Sequence, residues 1–374
     1  MARFLALGII RTSPDGDFLG SDIARVRLGM ALESSGVSLD SVGEAIRTGR
    51  LSLGFIDRLL PQPGRLLPRT QRDVIEGLDI SWSLADRVRT ILGSAGQSPD
   101  EPIREDDAEI FEVVARAREL GLDDERGIRV IRVIADNVRR IVEAEADVLD
   151  EVLTREALAS GLSDQEMLDR MAPTRSEYRR LGGRLLDLVN RRLIDEGVIR
   201  VLVDYLEAAL VREGITPPRE DRPPAIAFAD LSGFTRLTEE RGDRAAATHA
   251  GTLAEVAQQA ANPHGGQLVK VLGDGAMLFF PDGTAAVHGA LELLREARAR
   301  GLPPARVGID TGHVIRQDGD YFGTTVNVAA RVTDYARPRE VLVTSDVVER
   351  WTGGDGVLFE EIGPVPLKNV AEPV

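Results

Sequence analysis

The 374-residue sequence contains no cysteine and almost no lysine. The absence of cysteine excludes disulfide bonds, thiolate metal sites and cysteine nucleophiles, and it favours a reducing, cytoplasmic location. No segment approaches the roughly 18–20 consecutive apolar residues that a membrane helix needs, so no transmembrane segment is predicted. The first ten residues, MARFLALGII, lack a small-residue cleavage site, and a signal peptide is therefore not expected.

The chain is acidic, with a formal net charge of −15 and a pI near 4.9. A surface that binds nucleic acid through its phosphates needs clustered positive charge, so nucleic acid is not an expected partner. A length of 374 residues is sufficient for two domains.

A proline-rich stretch, ITPPREDRPPA, divides the sequence into two parts of different character. Because proline blocks helix on either side, residues 216–223 are predicted to be an exposed linker. Residues 1–215 show apolar residues at helical spacing and are predicted to form an α-helical domain. Part of it, DIARVRLGMALESSGVSLDSVGEAI, also fits a helix-turn-helix, but it lacks a clustered basic recognition helix.

Strand and helix patterns alternate after the linker, which predicts an α/β domain over residues 224–374 with helices packed on a sheet. Strands are expected in AIAFADLSGF, on both sides of the Gly-Asp-Gly turn in GQLVKVLGDGAMLFF, in ARVGIDTGHVI, in EVLVTS and within GVLFEEIGPVPLK. Helices are expected in RAAATHAGTLAEVAQQAA, in GTAAVHGALELLREARARG and in TTVNVAARVTDYA.

Two aspartates lie at the ends of predicted neighbouring strands. Asp230 follows the apolar run AIAFA, and Asp274 lies at the hairpin tip. Paired carboxylates are suitable ligands for hard cations such as Mg²⁺. The backbone amides at the start of the next helix, which includes Phe234 and Thr235, would form an anion cradle beside them. A single aspartate at the end of a strand is usually only a turn or cap residue, so neither aspartate alone would indicate a metal site.

Asn327 and Arg331 are four residues apart in a helix whose intervening positions are valine and alanine, so we expect them on one face of a mostly buried helix. A buried arginine requires either an acidic neighbour or a bound phosphate. A structural Arg–Asp pair therefore remains an alternative to a catalytic role.

Only two of the 46 basic residues are lysines, Lys270 and Lys368. Codon usage in a GC-rich genome could account for this scarcity. Alternatively, these positions need a compact ammonium where the planar guanidinium of arginine would not fit.

Four segments, FADLSGFTRLTEERG, VKVLGDGAMLFF, RVGIDTGHV and GDYFGTTVNVAARV, occur in the order and spacing of one enzyme family. Over residues 224–372 the sequence resembles the class III nucleotide cyclases, particularly the bacterial, mycobacterial type. The resemblance implies a ferredoxin-like βαββαβ catalytic domain. It also implies conversion of ATP to 3′,5′-cyclic AMP and pyrophosphate with two Mg²⁺ or Mn²⁺ ions per site.

The resemblance also implies roles for individual residues, all numbered in this sequence. Asp230, Asp274 and the carbonyl of Leu231 match the metal ligands. Lys270 and Asp320 match the pair that recognises the adenine edge. Asn327 and Arg331 match the pair that orients the ribose and stabilises the transition state. Arg306 and Lys368 match positions that hold the β- and γ-phosphates, although the chain ends at AEPV, soon after Lys368.

In this family the metal and base-recognition residues of one site come from two catalytic domains, so the resemblance implies a homodimer. The helical first domain resembles, by pattern and position, the N-terminal domains that restrain some mycobacterial cyclases, a few of which bind lipid, so the resemblance implies a regulatory domain with a lipid or another small molecule as its regulator. Two alternatives stay open: a nucleotide-binding pseudo-cyclase without turnover, and a cyclase-type sensor attached to a DNA-binding module.

Overall fold

The computed structural model of the protein describes residues 2–10, 20–54, 56, 65–94, 96–160, 164–216, 222–354 and 356–367. The chain divides into two compact units, Met1–Leu202 and Val203–Val374. No helix within these described ranges is long and apolar enough to cross a membrane.

The first unit contains mostly helices, as the apolar periodicity predicts. The helix Trp82–Leu92 illustrates how local sequence sets the bounds: Ser81 accepts a hydrogen bond from the Leu84 N–H at 3.2 Å at the start, and Gly93 ends the helix in the left-handed conformation. Its elements are α1 (Ala2–Ala6), α2 (Gly20–Ser34), α3 (Leu39–Arg47), β1 (Leu66–Thr70), α4 (Gln71–Gly77), α5 (Trp82–Leu92), β2 (Pro102–Arg104), α6 (Glu105–Glu119), α7 (Asp124–Ser160) and α8 (Asp164–Arg212), which continues beyond the division at Leu202.

The second unit is built on a mixed sheet. Its elements are β3 (Ala225–Leu231), α9 (Phe234–Arg241), α10 (Asp243–Ala261), β4 (Gln267–Leu272), β5 (Gly275–Phe280), α11 (Gly283–Ala299), β6 (Ala305–Thr311), β7 (Ile315–Gln317), β8 (Asp320–Phe322), α12 (Thr324–Tyr335), β9 (Val341–Val343) and α13 (Ser345–Glu349). The sheet order is β4-β5-β3-β6-β9, with β9 parallel to β6 and the other neighbours antiparallel. The predicted α/β architecture is thus confirmed.

The two faces of this sheet are covered by different helices. In β3, Ala227 and Ala229 pack into the core that contains Leu253 of α10 and Leu293 of α11. Ile226 instead packs in a second cluster with Met277, Tyr321 and Ala329 of α12. Because successive strand residues alternate between faces, even-numbered β3 residues, including Asp230, lie on the α12 side.

Helix α12 approaches β6 unusually closely at one glycine. A side-chain carbon added at Gly308 would lie 2.2 Å from the backbone nitrogen of Thr333. The Thr333 hydroxyl donates to the carbonyl of Ala329 at 2.8 Å and lies 3.2 Å from the carbonyl of Phe228 in β3. Glycine at 308 therefore permits the docking of α12 on the sheet.

Two parts of the second unit differ from the predicted elements. The hairpin β7–β8 was not predicted, although Asp318 and Gly319, with φ of 57° and 80°, form the two-residue Asp-Gly loop typical of such turns. Conversely, the prediction of strand within GVLFEEIGPVPLK was wrong for residues 356–367, which form none. Pro364 and Pro366 each lack the N–H that a strand ladder needs.

A buried carboxyl group joins β6 to the end of β9. Asp310 is 7% exposed and accepts a hydrogen bond from the Thr344 hydroxyl at 2.7 Å. Burial raises the pKa of Asp310 to about 6, although the hydrogen bonds from Thr344 and from the Thr311 backbone act in the opposite direction. Asp310 is therefore protonated in the folded protein at a pH where an unfolded chain would already have lost the proton.

We predict that Asp310→Asn becomes progressively more stable than the parent protein as the pH rises. An aspartate whose folded-state pKa is raised stabilises the fold below its unfolded pKa and loses that contribution as the pH passes its folded pKa. A difference of about two between the folded and unfolded pKa values corresponds to about 3 kcal/mol in the free energy of unfolding. Roughly half of this change occurs between pH 5 and 8. Urea unfolding followed by Trp351 fluorescence in a Trp82→Phe background measures this difference.

Asp318→Asn, at an exposed aspartate of the β7–β8 turn, is the matched control and should show no such trend. A stability difference between Asp310→Asn and the parent that stays constant from pH 5 to 8 would contradict the prediction.

Candidate functional site

The end of β3 and the β4–β5 turn bring Asp230 and Asp274 together. Asp230 lies opposite Gly275 of β5 in the sheet register, and the Leu231 N–H donates to the Asp274 carbonyl at 3.0 Å. Gly273, with a φ of 64°, provides the left-handed backbone that the turn requires. The side chain of Leu231 is buried, so only its backbone could contribute a ligand.

The electrostatics of this pair suit a cation with oxygen ligands. Burial raises the pKa of the Asp274 carboxyl and the negative charge of Asp230 raises it further, while the positive charge of Arg306 acts in the opposite direction. The buried hydroxyl oxygen of Ser232, next to this turn, has no hydrogen-bond partner in the described part of the chain.

The described residues contain no cluster of three or more His, Asp or Glu side chains able to hold a metal. Mg²⁺ is often held by one or two carboxylates together with water and substrate phosphates, and the two aspartates fit that pattern. Mn²⁺ accepts the same oxygen ligands.

Arg306 lies opposite Asp230 on the neighbouring strand β6. Its Nε and Nη2 approach the same carboxylate oxygen, Asp230 Oδ2, at 2.8 and 2.7 Å. Its Nη1 donates to the carbonyls of Asp334 and Ala336 at 3.0 and 3.3 Å, at the end of α12. The residue expected at the phosphates thus connects the proposed metal carboxylate to α12.

A β-bulge turns Lys270 toward α12 and the hairpin. In the β4–β5 register, Leu268 lies opposite Leu278, but Lys270 lies opposite Met277, which leaves Val269 as an extra residue. Without the bulge, strict alternation would place Lys270 on the same face as Leu268. Lys270 instead shares the face of Met277, where its ammonium group contacts the carboxylate of Asp320.

Asp320 is held in place by the hairpin β7–β8. Its Oδ1 accepts a hydrogen bond from the Tyr321 N–H at 2.9 Å, while Oδ2 faces Lys270. Tyr321 itself stacks on Phe279 at 4.6 Å between ring centres and accepts a hydrogen bond from Gln267 at 3.0 Å. The structure therefore brings together the Lys–Asp pair across 50 residues of sequence.

The expectation that Asn327 and Arg331 are buried is wrong for the single chain. Asn327 is exposed, and the side chain of Arg331 is 41% exposed and paired with Asp334 at 2.9 Å. The buried face of α12 instead includes Val328 and Val332. Val328 follows Asn327 and Val332 follows Arg331, and consecutive helix residues are about 100° apart around the helix axis. Asn327 and Arg331 therefore lie at the edge of the buried face of α12.

The remaining predicted residues are partly described. Phe234 and Thr235 are the first two residues of α9, which follows Gly233 with a φ of 81°, so a helix does begin there as expected. Lys368 lies outside the described residues, and its predicted role stays a prediction.

Comparison with known proteins identifies the family. Residues 219–372 match the adenylate and guanylate cyclase catalytic domain. An adenylate cyclase of Streptomyces coelicolor is 32% identical over 281 residues, covering 72% of this chain and 68% of the relative. This chain belongs to the adenylate and guanylate cyclase family. The resemblance to class III nucleotide cyclases is confirmed.

A second cyclase relative extends the likeness beyond the catalytic domain. A pH-sensitive adenylate cyclase of Mycobacterium tuberculosis is 28% identical over 312 residues, covering 80% of this chain and 75% of the relative. An alignment of that length must include much of the region before residue 219. Among solved structures, an adenylate/guanylate cyclase/hydrolase of Silicibacter pomeroyi is 31% identical, with a TM-score of 0.35, 41% of this chain covered and 92% of that chain.

Proposed function

We propose that this cyclase converts ATP into 3′,5′-cyclic AMP and pyrophosphate. The observation that carries the choice of ATP is the contact between Lys270 and Asp320 in a member of the cyclase family. An ammonium group can donate to N1 of adenine, and a carboxylate can accept from the 6-amino group, whereas guanine presents the opposite pattern at both atoms. Relatives named adenylate cyclases agree with this substrate.

The partial burial of the Lys270–Asp320 pair gives it selectivity. The two side chains are 37% and 29% exposed and satisfy each other in the absence of a base. A base that enters between them must replace that contact with its own donor and acceptor. Adenine does so. Guanine would instead place a donor against the Lys270 ammonium and an acceptor against the Asp320 carboxylate, which is costly in a partly buried site.

Asp230, Asp274 and the carbonyl of Leu231 would hold two Mg²⁺ or Mn²⁺ ions. When bound, these ions lower the pKa of the ribose 3′-hydroxyl and neutralise charge on the leaving pyrophosphate. The protein residues contribute positioning: the β3 end and the β4–β5 turn fix both carboxylates, and the amides at the start of α9, at Phe234 and Thr235, face the phosphates. Arg306 and Lys368 are the proposed phosphate ligands.

We infer that each site is completed by a second copy of the chain, with Asn327 and Arg331 of one chain acting beside Asp230 of the other. Both polar residues are at the surface of the single chain. Exposed apolar side chains in β4, the hairpin and the end of α12 make the same region suitable for an interface; they are Val271, Leu272, Ile315, Phe322 and Tyr335. A two-fold arrangement would then create two equal sites.

We further propose that the helical N-terminal region, residues 1–215, regulates the catalytic domain. The likeness to the pH-sensitive relative includes much of this region. No histidine occurs before His249, so a response to pH through the helical region would have to use carboxylates, such as those in EAEADVLDE of α7. A lipid or another small molecule is the other proposed class of signal.

The first prediction tests the reaction itself. The full chain with Mn²⁺ should form cyclic AMP from ATP in clear preference to cyclic GMP from GTP. Asp274→Asn should lower that activity by at least about 10²-fold, because it removes a metal-binding charge without changing side-chain shape. Chromatographic product analysis measures both, and Asp346→Asn, at an exposed carboxylate of α13, should retain the parent activity.

Substantial turnover in Asp274→Asn would contradict the metal assignment. Nucleotide binding by the parent chain without any cyclic product would instead favour the pseudo-cyclase alternative.

The shared site is tested by mixing two inactive variants. Asp230→Ala and Asn327→Ala should each be nearly inactive, but one of the two sites in a mixed dimer contains neither substitution. With random exchange, half of the dimers are mixed, so about one quarter of the parent activity should return. Failure to recover activity, when tagged chains prove that mixed dimers form, would exclude sites shared between chains.

Regulation is tested by comparing the full chain with residues 216–374 over a range of protein concentrations. If the helical region restrains the catalytic domains, its removal should raise specific activity severalfold at concentrations where the truncated chain is dimeric. If it only promotes dimerisation, removal should lower activity and high concentration should restore it. A truncated chain that is slower at every concentration would refute restraint.

A further inference from the structure

We propose that Arg306 is a positioning residue that competes with the metal ion for Asp230, so that metal binding releases the Arg306 guanidinium from the carboxylate. The inference rests on the proposed function in one respect, the assignment of Asp230 as a metal ligand. The family resemblance implies only that Arg306 holds the phosphates, so competition with the metal is a second role for this residue.

The contact geometry is that of an internal counter-ion. Asp230 and Arg306 are directly opposite each other on adjacent strands, and cross-strand partners share one face of the sheet. Both nitrogens of the guanidinium edge point to a single oxygen, Asp230 Oδ2, at 2.8 and 2.7 Å. Both side chains are 27% exposed, so solvent screens the pair less than it would an exposed one.

The far side of the guanidinium is anchored independently of Asp230. Nη1 donates to the carbonyls of Asp334 and Ala336, at the negative end of the α12 dipole. The carboxylate of the same Asp334 binds Arg331 at 2.9 Å. Arg306 therefore stays near the site when it loses Asp230, and its released edge is available to an incoming phosphate.

Competition follows from charge and space. A cation bound to Asp230 would bring a second positive charge onto the carboxylate that already pairs with Arg306, and like charges at this distance repel strongly in a half-buried site. Asp274 makes no hydrogen bond to Arg306 among the described residues, so it is the carboxylate that remains free of this contact. Loading of the metal and rearrangement of Arg306 are thus coupled.

The test measures Mn²⁺ affinity of the full chain without nucleotide, by electron paramagnetic resonance of free Mn²⁺. Arg306→Gln should bind Mn²⁺ about fivefold more tightly than the parent, because it removes a competitor whose ion pair contributes on the order of 1 kcal/mol. Arg331→Gln makes the same charge change but removes a pair with Asp334, so its affinity should stay within about twofold of the parent. Arg306→Lys, which keeps the charge, should also stay near the parent.

A double-variant comparison identifies the route of the effect. Arg306→Gln in an Asp230→Asn background should give no tightening, because the carboxylate for which the two cations compete is absent. Equal tightening in Arg306→Gln and Arg331→Gln would overturn the proposal, since it would reflect net charge alone. Unchanged or weaker binding in Arg306→Gln would also overturn it.

A measurement on the unmutated protein covers the case in which Arg306→Gln fails to fold. Phenylglyoxal modification of Arg306, followed by peptide mass spectrometry, should become severalfold faster when Mg²⁺ is added, and an unchanged rate would refute release. Failure of the inference is distinguishable from failure of the proposed function. If only the inference fails, the parent still forms cyclic AMP and Asp230→Asn still weakens Mn²⁺ binding. If the proposed function fails, the parent forms no cyclic AMP and Asp230→Asn does not change Mn²⁺ binding.

Discussion

The close contact between α12 and β6 is the constraint on which the site geometry depends. With glycine at 308, the backbone of the helix can lie directly against the sheet, and the hydroxyl of Thr333 lies within reach of the β3 carbonyl of Phe228. This contact fixes the position of the end of α12, whose carbonyls accept hydrogen bonds from Arg306. It also fixes the position of the side of α12 on which Asn327 and Arg331 lie. Any larger residue at 308 would lift all of these groups together.

Ion pairs connect the candidate site residues into two groups. Lys270 pairs with Asp320, while Arg306 pairs with Asp230 and shares Asp334 with Arg331. Five of the charged residues that are proposed to contact the nucleotide or the metal thus have an internal partner beforehand; they are Lys270, Asp320, Arg306, Asp230 and Arg331. Under the proposed assignment, substrate binding would exchange these partners instead of desolvating isolated charges, which would lower the cost of keeping such groups in a partly buried site.

Local sequence signals were sufficient for most of the fold. The period-2 and period-3.6 patterns predicted β3, the β4–β5 hairpin, α10, α11 and α12, because burial on one face determines those elements directly. The α/β class and the proximity of Asp230 to Asp274 followed from strand ends and a turn. The short hairpin β7–β8 has too few residues to show a period, and only its Asp-Gly turn could have revealed it.

The features that the sequence could not reveal depend on partners distant in the chain. The ion pair of Arg306 with Asp230 is set by strand register, and the exposure of Arg331 is set by how α12 is rotated on the sheet. Helical spacing places Asn327 and Arg331 on one face, but it does not say whether that face is the buried one. Similarly, the raised pKa of Asp310 depends on burial against the end of β9, which no pattern in its own strand discloses.

Because of the bulge at Val269, the residue that lies opposite Met277 depends on the pairing of β4 with β5 as well as on the residue types. Removing the Val269 codon would leave Lys270 opposite Met277 in a regular strand. Keeping every residue but pairing the strands without the bulge would instead place Val269 there and turn Lys270 to the other face, although no amino acid had been substituted. Two chains with the same residues in β4 can therefore present different side chains to Asp320, according to whether the extra residue is accommodated as a bulge.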